Sequence, residues 1–242
     1  MTHPRVHRYS DEQTLTSSVA ANLVKRIIEL LATKEKVHLG LSGGDSANQV
    51  YKAFGKLAKT TNLDARRLEL WWTCERYVPS SDHRRNSTQA LSLLAGALPI
   101  VPSQTHAMPA PTSTADPQQG ALAYAEELGQ QKFDICLLNL APDGHVADLY
   151  PDDPALSEDN ARVIGVLEAP NDPKERITCT LNTINESREV WVLASGYSKA
   201  EAVEEGITGK HVPASMVSGQ DATRWFIDQR AASRLPYHEC KL

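Results

Sequence analysis

Four short segments of this sequence carry side chains able to bind an anion or to transfer a proton. They are Ser42-Gly-Gly-Asp-Ser46, Cys74-Glu-Arg-Tyr-Val-Pro79, Asp143-Gly-His145 and Ser195-Gly-Tyr-Ser-Lys199. Taken singly, each is weak, because a Ser-Gly-Gly turn usually only joins a strand to a helix, a lone arginine is usually solvated and a lone histidine is more often structural. The set is more informative, because each segment follows a predicted strand.

Lys199 has a physical argument of its own. The spacing of Ser198 and Glu201 is typical of a capping box, which predicts that Lys199 occupies the first position of a helix. A lysine there costs about 0.3–1 kcal/mol, because the N-terminus of a helix is already positive, unless an anion lies between the ammonium and the free N–H groups. The pattern therefore predicts either an anion site or an exposed, solvated lysine.

The elements that position these segments alternate between helices and strands. Ser10-Asp-Glu-Gln13 predicts the capping box of a first helix. Later helices are predicted after Gly44 to about Lys59, from Asn86 through an apolar face at 90–98, and at about 118–131. Strands are predicted at 37–41, 68–72, 133–138, 162–167, 189–194 and 223–227. Residues 99–117, rich in Pro, Ser and Thr, predict an extended surface connection.

This alternation predicts an α/β fold with a mostly parallel sheet and helices on both faces. Ligands bind such sheets outside the carboxyl ends of the strands. The loops after Leu41, Trp72, Leu138 and Ala194 are therefore expected to share one crevice. The 242 residues suit one large domain or two small ones, and we expect a single domain spanning residues 1–242.

Bulk composition excludes several classes of protein. The net charge of −5 argues against a nucleic-acid binder, which needs excess Lys and Arg, but allows a local cationic pocket for a small anion. Apolar runs fall short of membrane-spanning length, and the first thirty residues lack the pattern of a signal peptide. We therefore expect a cytoplasmic protein with neither nucleic-acid nor membrane partners.

Metal-dependent and nucleotide-dependent classes have no support in the motifs. The sequence has no H-E-x-x-H, no G-x-x-x-x-G-K-[ST] and no G-x-G-x-x-G that opens a helix. The four cysteines lie far apart, which favours reduced thiols over a zinc site; they are Cys74, Cys136, Cys179 and Cys240. Several scattered histidines are expected to be structural or surface residues, namely His38, His83, His106 and His211.

Longer motifs run nearly from end to end of the chain. They are Leu41-Ser-Gly-Gly44, Trp72 with Glu75-Arg76 and Val78-Pro79, Asp82 with Asn86, Phe133-Asp-Ile-Cys-Leu-Leu138 leading into Pro142-Asp-Gly-His145 and Leu149-Tyr-Pro151, Lys174-Glu-Arg-Ile-Thr178, Gly196-Tyr-Ser-Lys-Ala200 and Val212-Pro-Ala-Ser215. Together these segments resemble the 6-phosphogluconolactonases, enzymes of the oxidative pentose phosphate route. The resemblance implies a Rossmann-like α/β fold, shared with sugar-phosphate isomerases and deaminases, and a reaction without cofactor or metal.

The resemblance places the chemistry at His145. Neutral imidazole is suited to take a proton from water as the water attacks the lactone carbonyl, and the imidazolium can then protonate the departing ring oxygen. Asp143 either orients the imidazole or only caps the turn. Backbone N–H groups of the 141–146 turn are candidates for binding the oxyanion.

The resemblance also implies a phosphate site. Arg76 and Lys199 would hold the phosphate together with N–H groups of the turn formed by Ser42, Gly43 and Gly44. Arg176 would contact phosphate or sugar. The expected ligand is a small phosphorylated sugar lactone, and the expected assembly is a monomer or a small homo-oligomer.

Three departures from the family pattern leave alternatives open. Asp45 stands where Ser is frequent, Asn139-Leu-Ala141 replaces a G-x-G turn, and Val146-Ala-Asp148 replaces Thr-Ala-Ser. One alternative is a glucosamine-6-phosphate deaminase or isomerase of the same fold, but that family typically has Phe-Asn-Glu after the histidine. The other is a non-catalytic sugar-phosphate-binding protein, which no additional output domain supports.

Overall fold

A computed structural model describes residues 4–236. Its ten strands, in chain order, are β1 (Arg5–Tyr9), β2 (Val37–Leu41), β3 (Leu68–Trp72), β4 (Cys74–Arg76), β5 (Thr105–His106), β6 (Ile135–Asn139), β7 (Val163–Val166), β8 (Arg176–Cys179), β9 (Glu189–Ala194) and β10 (Ala222–Asp228). Its seven α-helices are α1 (Glu12–Leu31), α2 (Asp45–Ala58), α3 (Asn86–Leu94), α4 (Pro117–Leu128), α5 (Leu181–Asn185), α6 (Ala200–Thr208) and α7 (Pro213–Met216).

Seven strands form a parallel sheet in the order β1-β10-β9-β6-β2-β3-β5. Successive strand residues point to opposite faces, so Leu137 enters the core shared with α1, α2 and α3, whereas Leu138 enters the core shared with α4, α5, α6 and α7. The predicted parallel sheet with helices on both faces is confirmed. None of the helices formed by residues 4–236 has the length and apolar character needed to cross a membrane.

A second, antiparallel sheet has the order β4-β8-β7. It starts at the carboxyl edge of the large sheet, because only Thr73 separates β3 from β4. The strand predicted at 162–167 exists as β7. Its predicted membership of the parallel sheet was wrong, because β7 pairs antiparallel with β8 in the small sheet. No helix covers the connection from β7 to β8, which therefore lacks the crossover that parallel pairing requires.

Helix α1 begins one residue later than the predicted capping box. The N-cap is Asp11, whose carboxylate accepts a 2.7 Å hydrogen bond from the N–H of Thr14. The hydroxyl of Ser10 bonds to the Asp11 carboxylate instead. Ser10 is held outside the helix because it directly follows β1, an edge strand that the sequence pattern did not predict.

A buried carboxylate ties α1 to the sheet. The Glu189 side chain, only 2% exposed, accepts hydrogen bonds from Arg26 of α1 at 2.7 Å, Arg224 of β10 at 3.1 Å and the indole of Trp191 at 2.9 Å. Burial acts to raise the pKa of Glu189, but the Trp191 bond and the two guanidinium groups outweigh it, so this pKa lies below its ordinary value. The three partners thus keep a charged carboxylate stable inside the fold.

Candidate active site

A cleft of about 190 Å³ opens at the carboxyl ends of β2, β3 and β6 and is walled on one side by the small sheet. Its lining includes Gly43, Gly44, Arg76, Asn139, His145 and Arg176. Three of the four predicted loops therefore share one crevice. The fourth, which follows β9 and carries Lys199, lines an adjoining cavity instead.

His145 is oriented by Asp143. Nδ1 of the imidazole lies 2.7 Å from Oδ1 of Asp143. A carboxylate only accepts, so Nδ1 carries the hydrogen and Nε2 remains the basic nitrogen. Partial burial acts to raise the pKa of Asp143, but hydrogen bonds and attraction from His145 outweigh it and lower that pKa. Asp143 thus remains an anion beside the ring.

The ring of Tyr150 packs against the His145 imidazole. The two ring centroids lie 4.8 Å apart at an interplanar angle of 56°. The Tyr150 hydroxyl donates to Oδ1 of Asp148 at 2.9 Å, and Nη1 of Arg176 lies 3.7 Å from the same oxygen. The other oxygen of Asp148 is buried without a hydrogen-bond partner among the described residues. This polar chain was not foreseen from the sequence.

Arg176 is largely committed to the protein. Its Nε and Nη2 donate to the carbonyls of Pro173 and Asn171 at 2.6 and 3.1 Å. The side chain is therefore a rigid part of the cleft wall, and it holds the loop that carries Asn171 and Asp172 into the lining.

The 141–146 turn uses most of its own N–H groups. The N–H of Ala141 donates to the carbonyl of His145, that of Gly144 to the carbonyl of Ala141, and that of His145 to the carboxylate of Asp143. These donors stabilise the turn, so few remain for the predicted oxyanion role.

Arg76 is fixed in the cleft lining by Asn86. Nη1 of Arg76 donates to Oδ1 of Asn86 at 2.6 Å and to the carbonyl of Arg84 at 2.7 Å. Gly43 packs against the same asparagine, and any Cβ at Gly43 would overlap with Oδ1 of Asn86. The glycine is therefore required for this arginine, asparagine and turn to meet.

The Ser42 side chain is structural. Its hydroxyl accepts from the N–H of Asn139 at 3.0 Å, and its own N–H donates to the hydroxyl of Tyr51 at 3.1 Å. Helix α2 starts directly after Gly44 and has no side-chain cap. Because a helix leaves its first N–H groups without intrahelical acceptors, the first turn of α2 has N–H groups that no side chain caps.

Lys199 differs from its prediction in two respects. A 3₁₀ turn (Tyr197–Lys199) precedes α6, so Lys199 is the N-cap and the predicted capping box of Ser198 and Glu201 does not form. The Lys199 ammonium does not line the cleft. Its Nζ lies 3.4 Å from Oδ1 of Asn139, and Asn139 lines the cleft.

The cavity around Lys199 is acidic. Besides Lys199 and Arg230, its lining contains the carboxylates of Asp11, Glu12, Asp45 and Asp228. Burial lowers the pKa of Lys199, against the attraction of Asp45, Glu12 and Asp228. Asp45, which departs from the family pattern, thus lines this cavity and does not line the cleft.

Other features of the described chain bear on cofactors. Residues 4–236 contain no group of three or more His, Cys, Asp or Glu side chains arranged to hold a metal ion. Cys74, Cys136 and Cys179 are buried free thiols, and burial raises the pKa of each. Cys240 lies outside the described residues.

The chain has sequence similarity to proteins of a known family. Residues 10–225 match the family described as glucosamine-6-phosphate isomerases/6-phosphogluconolactonase. The 6-phosphogluconolactonase of Streptomyces coelicolor is 37% identical, over 96% of this chain and 94% of that protein.

Two solved structures share the fold. The 6-phosphogluconolactonase of Thermotoga maritima superposes with a TM-score of 0.83 at 24% identity, over 93% of this chain and 99% of the other. A monomeric glucosamine-6-phosphate deaminase gives a TM-score of 0.80 at 23% identity, over 95% and 99%. At such identities the likeness establishes the fold and does not separate the two activities.

Proposed function

The chain belongs to the family of glucosamine-6-phosphate isomerases and 6-phosphogluconolactonases and is a hydrolase, and we propose that it converts 6-phospho-D-glucono-1,5-lactone to 6-phosphogluconate with His145 as general base. The observation that carries the proposal is the 2.7 Å bond from Nδ1 of His145 to Asp143. This bond leaves a basic Nε2 on an imidazole that lines the cleft.

The proposed reaction moves one proton out and back. Nε2 of His145 takes a proton from water while the water oxygen bonds to the lactone carbonyl carbon. The bond from this carbon to the ring oxygen then breaks, and the imidazolium returns the proton to that oxygen. Asp143 stabilises the transient imidazolium and fixes its tautomer. These steps need no cofactor.

The phosphate is proposed to bind beside Arg76 and the Gly43-Gly44 turn, which line the same cleft as His145. Arg76 and the first-turn N–H groups of α2 bind the phosphate, since a guanidinium and a helix N-terminus both favour a dianion. Lys199 supports this site from behind Asn139, whose amide oxygen it contacts. Gly43 and Gly44 allow the close approach, Ser42 holds their turn, and Arg176 shapes the wall beside the sugar.

The choice of lactone over amino sugar rests on the relatives and on the loop after His145. The curated relative with 37% identity is named a 6-phosphogluconolactonase. The same loop presents Asp148 and Tyr150 where the deaminase pattern has Phe-Asn-Glu. The buried free thiols suit a reducing cytoplasm as the place of action.

The test couples hydrolysis of freshly made lactone to an NADP-dependent 6-phosphogluconate dehydrogenase, above the spontaneous rate. The wild type is compared with His145→Ala and with His83→Ala, a matched control because the His83 side chain is 94% exposed. We expect the His145 variant alone to lose about 10²–10⁴-fold in kcat. Equal rates in all three proteins would refute the base, and no acceleration by the wild type would refute the lactonase.

A further inference from the structure

Asn139 stands between Lys199 and the cleft. Asn139 lines the cleft, whereas Lys199 lines the adjoining acidic cavity, and the two side chains meet through Nζ and Oδ1 at 3.4 Å. A ligand in the cleft therefore meets the amide of Asn139 before it meets the ammonium.

The position of the Asn139 side chain is well determined. Asn139 ends β6, where its backbone N–H donates to the hydroxyl of Ser42 at 3.0 Å. On its other side it packs against Gly44, where an added Cβ would lie 2.5 Å from Cγ and Nδ2 of Asn139. The amide thus fills the space directly beside the N-terminus of α2.

Lys199 also fixes which end of the amide faces which way. An ammonium only donates, so the oxygen of Asn139 must point to Lys199 and the NH2 must point away from it. Among the described residues, Nδ2 makes a single, long hydrogen bond, 3.3 Å to the carbonyl of Leu140. An NH2 group carries two hydrogens, and this contact uses at most one.

Charge decides on which side of Asn139 a phosphate binds. The cavity behind it presents Asp11, Glu12, Asp45 and Asp228 against Lys199 and Arg230, which repels a dianion. The cleft in front presents Arg76 and Arg176 against only two carboxylates, Asp148 and Asp172, and Gly44, the N-cap of α2, lies in its lining. A phosphate in the cleft therefore lies on the NH2 side of Asn139.

From this geometry, and resting on the proposed function, we propose that Asn139 is a phosphate-binding residue. Its NH2 donates to a phosphate oxygen of the substrate, while Lys199 is a positioning residue that holds the opposite end of the amide. A cation and an amide also meet beside the adjacent glycine, where Arg76 donates to the amide oxygen of Asn86 next to Gly43.

The decisive variant is Asn139→Asp, which keeps the shape and the contact with Lys199 but replaces the donor by an acceptor. We expect KM for the lactone to rise about 10–100-fold, the loss expected when a charged hydrogen bond is removed, with kcat within about twofold and thermal stability unchanged or higher. Asn139→Ala should raise KM by about 10-fold.

A double-variant cycle tests the role of Lys199. Because Lys199 acts through Asn139, Lys199→Ala should raise KM in the wild-type background but should add little in the Asn139→Ala background. Lys199→Arg, which also donates to Oδ1, should retain most of the affinity.

The opposite result is equally clear. If Asn139→Ala leaves KM unchanged or lowers it while Lys199→Ala raises KM, the ammonium reaches the phosphate directly and the proposal is overturned. The Kd of 6-phosphogluconate, measured by calorimetry for the same variants, reports the affinity of the phosphate site without any need for catalysis. An inactive wild type would therefore refute the proposed function while these Kd values still decide the role of Asn139.

Discussion

At the scale of single residues, the orientation of His145 depends on a hydroxyl that never touches it. Tyr150 packs on the imidazole, and its hydroxyl is anchored to Asp148. Burial and the neighbouring Asp148 raise the pKa of Tyr150, so this hydroxyl remains a donor throughout the working pH range. The Tyr150 ring, against which His145 packs, is thus held by a hydrogen bond as well as by packing.

We predict that Tyr150→Phe lowers kcat about 3–10-fold with little change in KM, the size expected for one lost hydrogen bond. Both oxygens of Asp148 then lack a close partner, so the free energy of unfolding should fall by about 1–3 kcal/mol. The coupled assay and urea unfolding measure the two effects. Tyr197→Phe removes a hydroxyl from a ring that is 70% exposed and should change neither. A rise in KM alone would contradict the positioning role.

At the scale of elements, the hydrogen-bonded contact between β4 and the start of α3 sets the position of Arg76. Glu75 is fully buried and accepts from the N–H groups of Arg76, Asn86 and Ser87. Because α3 has no side-chain cap of its own, this carboxylate from another element acts as its cap. Arg85, also buried, lies 3.6 Å from Glu75 and balances its charge.

We predict that Glu75→Gln lowers the free energy of unfolding by about 3 kcal/mol, because it leaves Arg85 as an uncompensated buried charge and turns an NH2 toward backbone donors. KM should rise as well, since Arg76 and Asn86 lose their common anchor. Urea unfolding and the coupled assay report these changes. The same substitution at exposed Glu126 is the control. Equal stability of the two variants would show that Glu75 is not an anchor.

The elements also show what the sequence is able to predict. β2, β3, β6 and β9 were correctly predicted because each has five or six residues, mostly apolar, of which at least four are buried. The strand β1 was missed because it contains no buried apolar run, three of its five residues being Arg5, His7 and Arg8, and because its partner β10 is distant in sequence. β4 and β8 were missed because three or four residues carry no periodic signal.

The site was predictable to a similar extent. Parallel strand ends brought Arg76, His145 and the Gly43-Gly44 turn together as expected. The sequence marked Asn139 only as part of a departure from a G-x-G turn, because its contact with Lys199 depends on two loops whose relative position no local pattern encodes. Asp148 was likewise noted only as part of a departure from Thr-Ala-Ser, without its partner Tyr150.

At the scale of the whole molecule, stability should depend on pH through Glu189. Its pKa in the folded protein lies below the ordinary value of 4.5. A depressed carboxyl pKa contributes stability that is fully present above the unfolded value and is lost as the pH falls through the folded one. We therefore predict a constant contribution above about pH 5 and a progressive loss below about pH 4.5.

Urea unfolding between pH 3 and 7 tests this prediction. Glu189→Gln should be less stable than the wild type at pH 7, because Arg26 and Arg224 lose a shared anion. Its stability should fall less steeply toward pH 3, since one linked proton is removed. Parallel curves for the two proteins would assign the acid sensitivity to other carboxylates.

The pairing of β1 with β10 has a consequence for synthesis on the ribosome. A nascent chain folds from its N-terminal end as it emerges, yet β1 has no neighbour in the sheet until β10 has left the exit tunnel. Asp228, at the end of β10, also holds Ser195 and the N–H of Gly196 in the loop that leads to Lys199. During translation the sheet would therefore lack both β10 and the edge strand β1. The loop that leads to Lys199 would be held in place only after β10 has emerged from the ribosome.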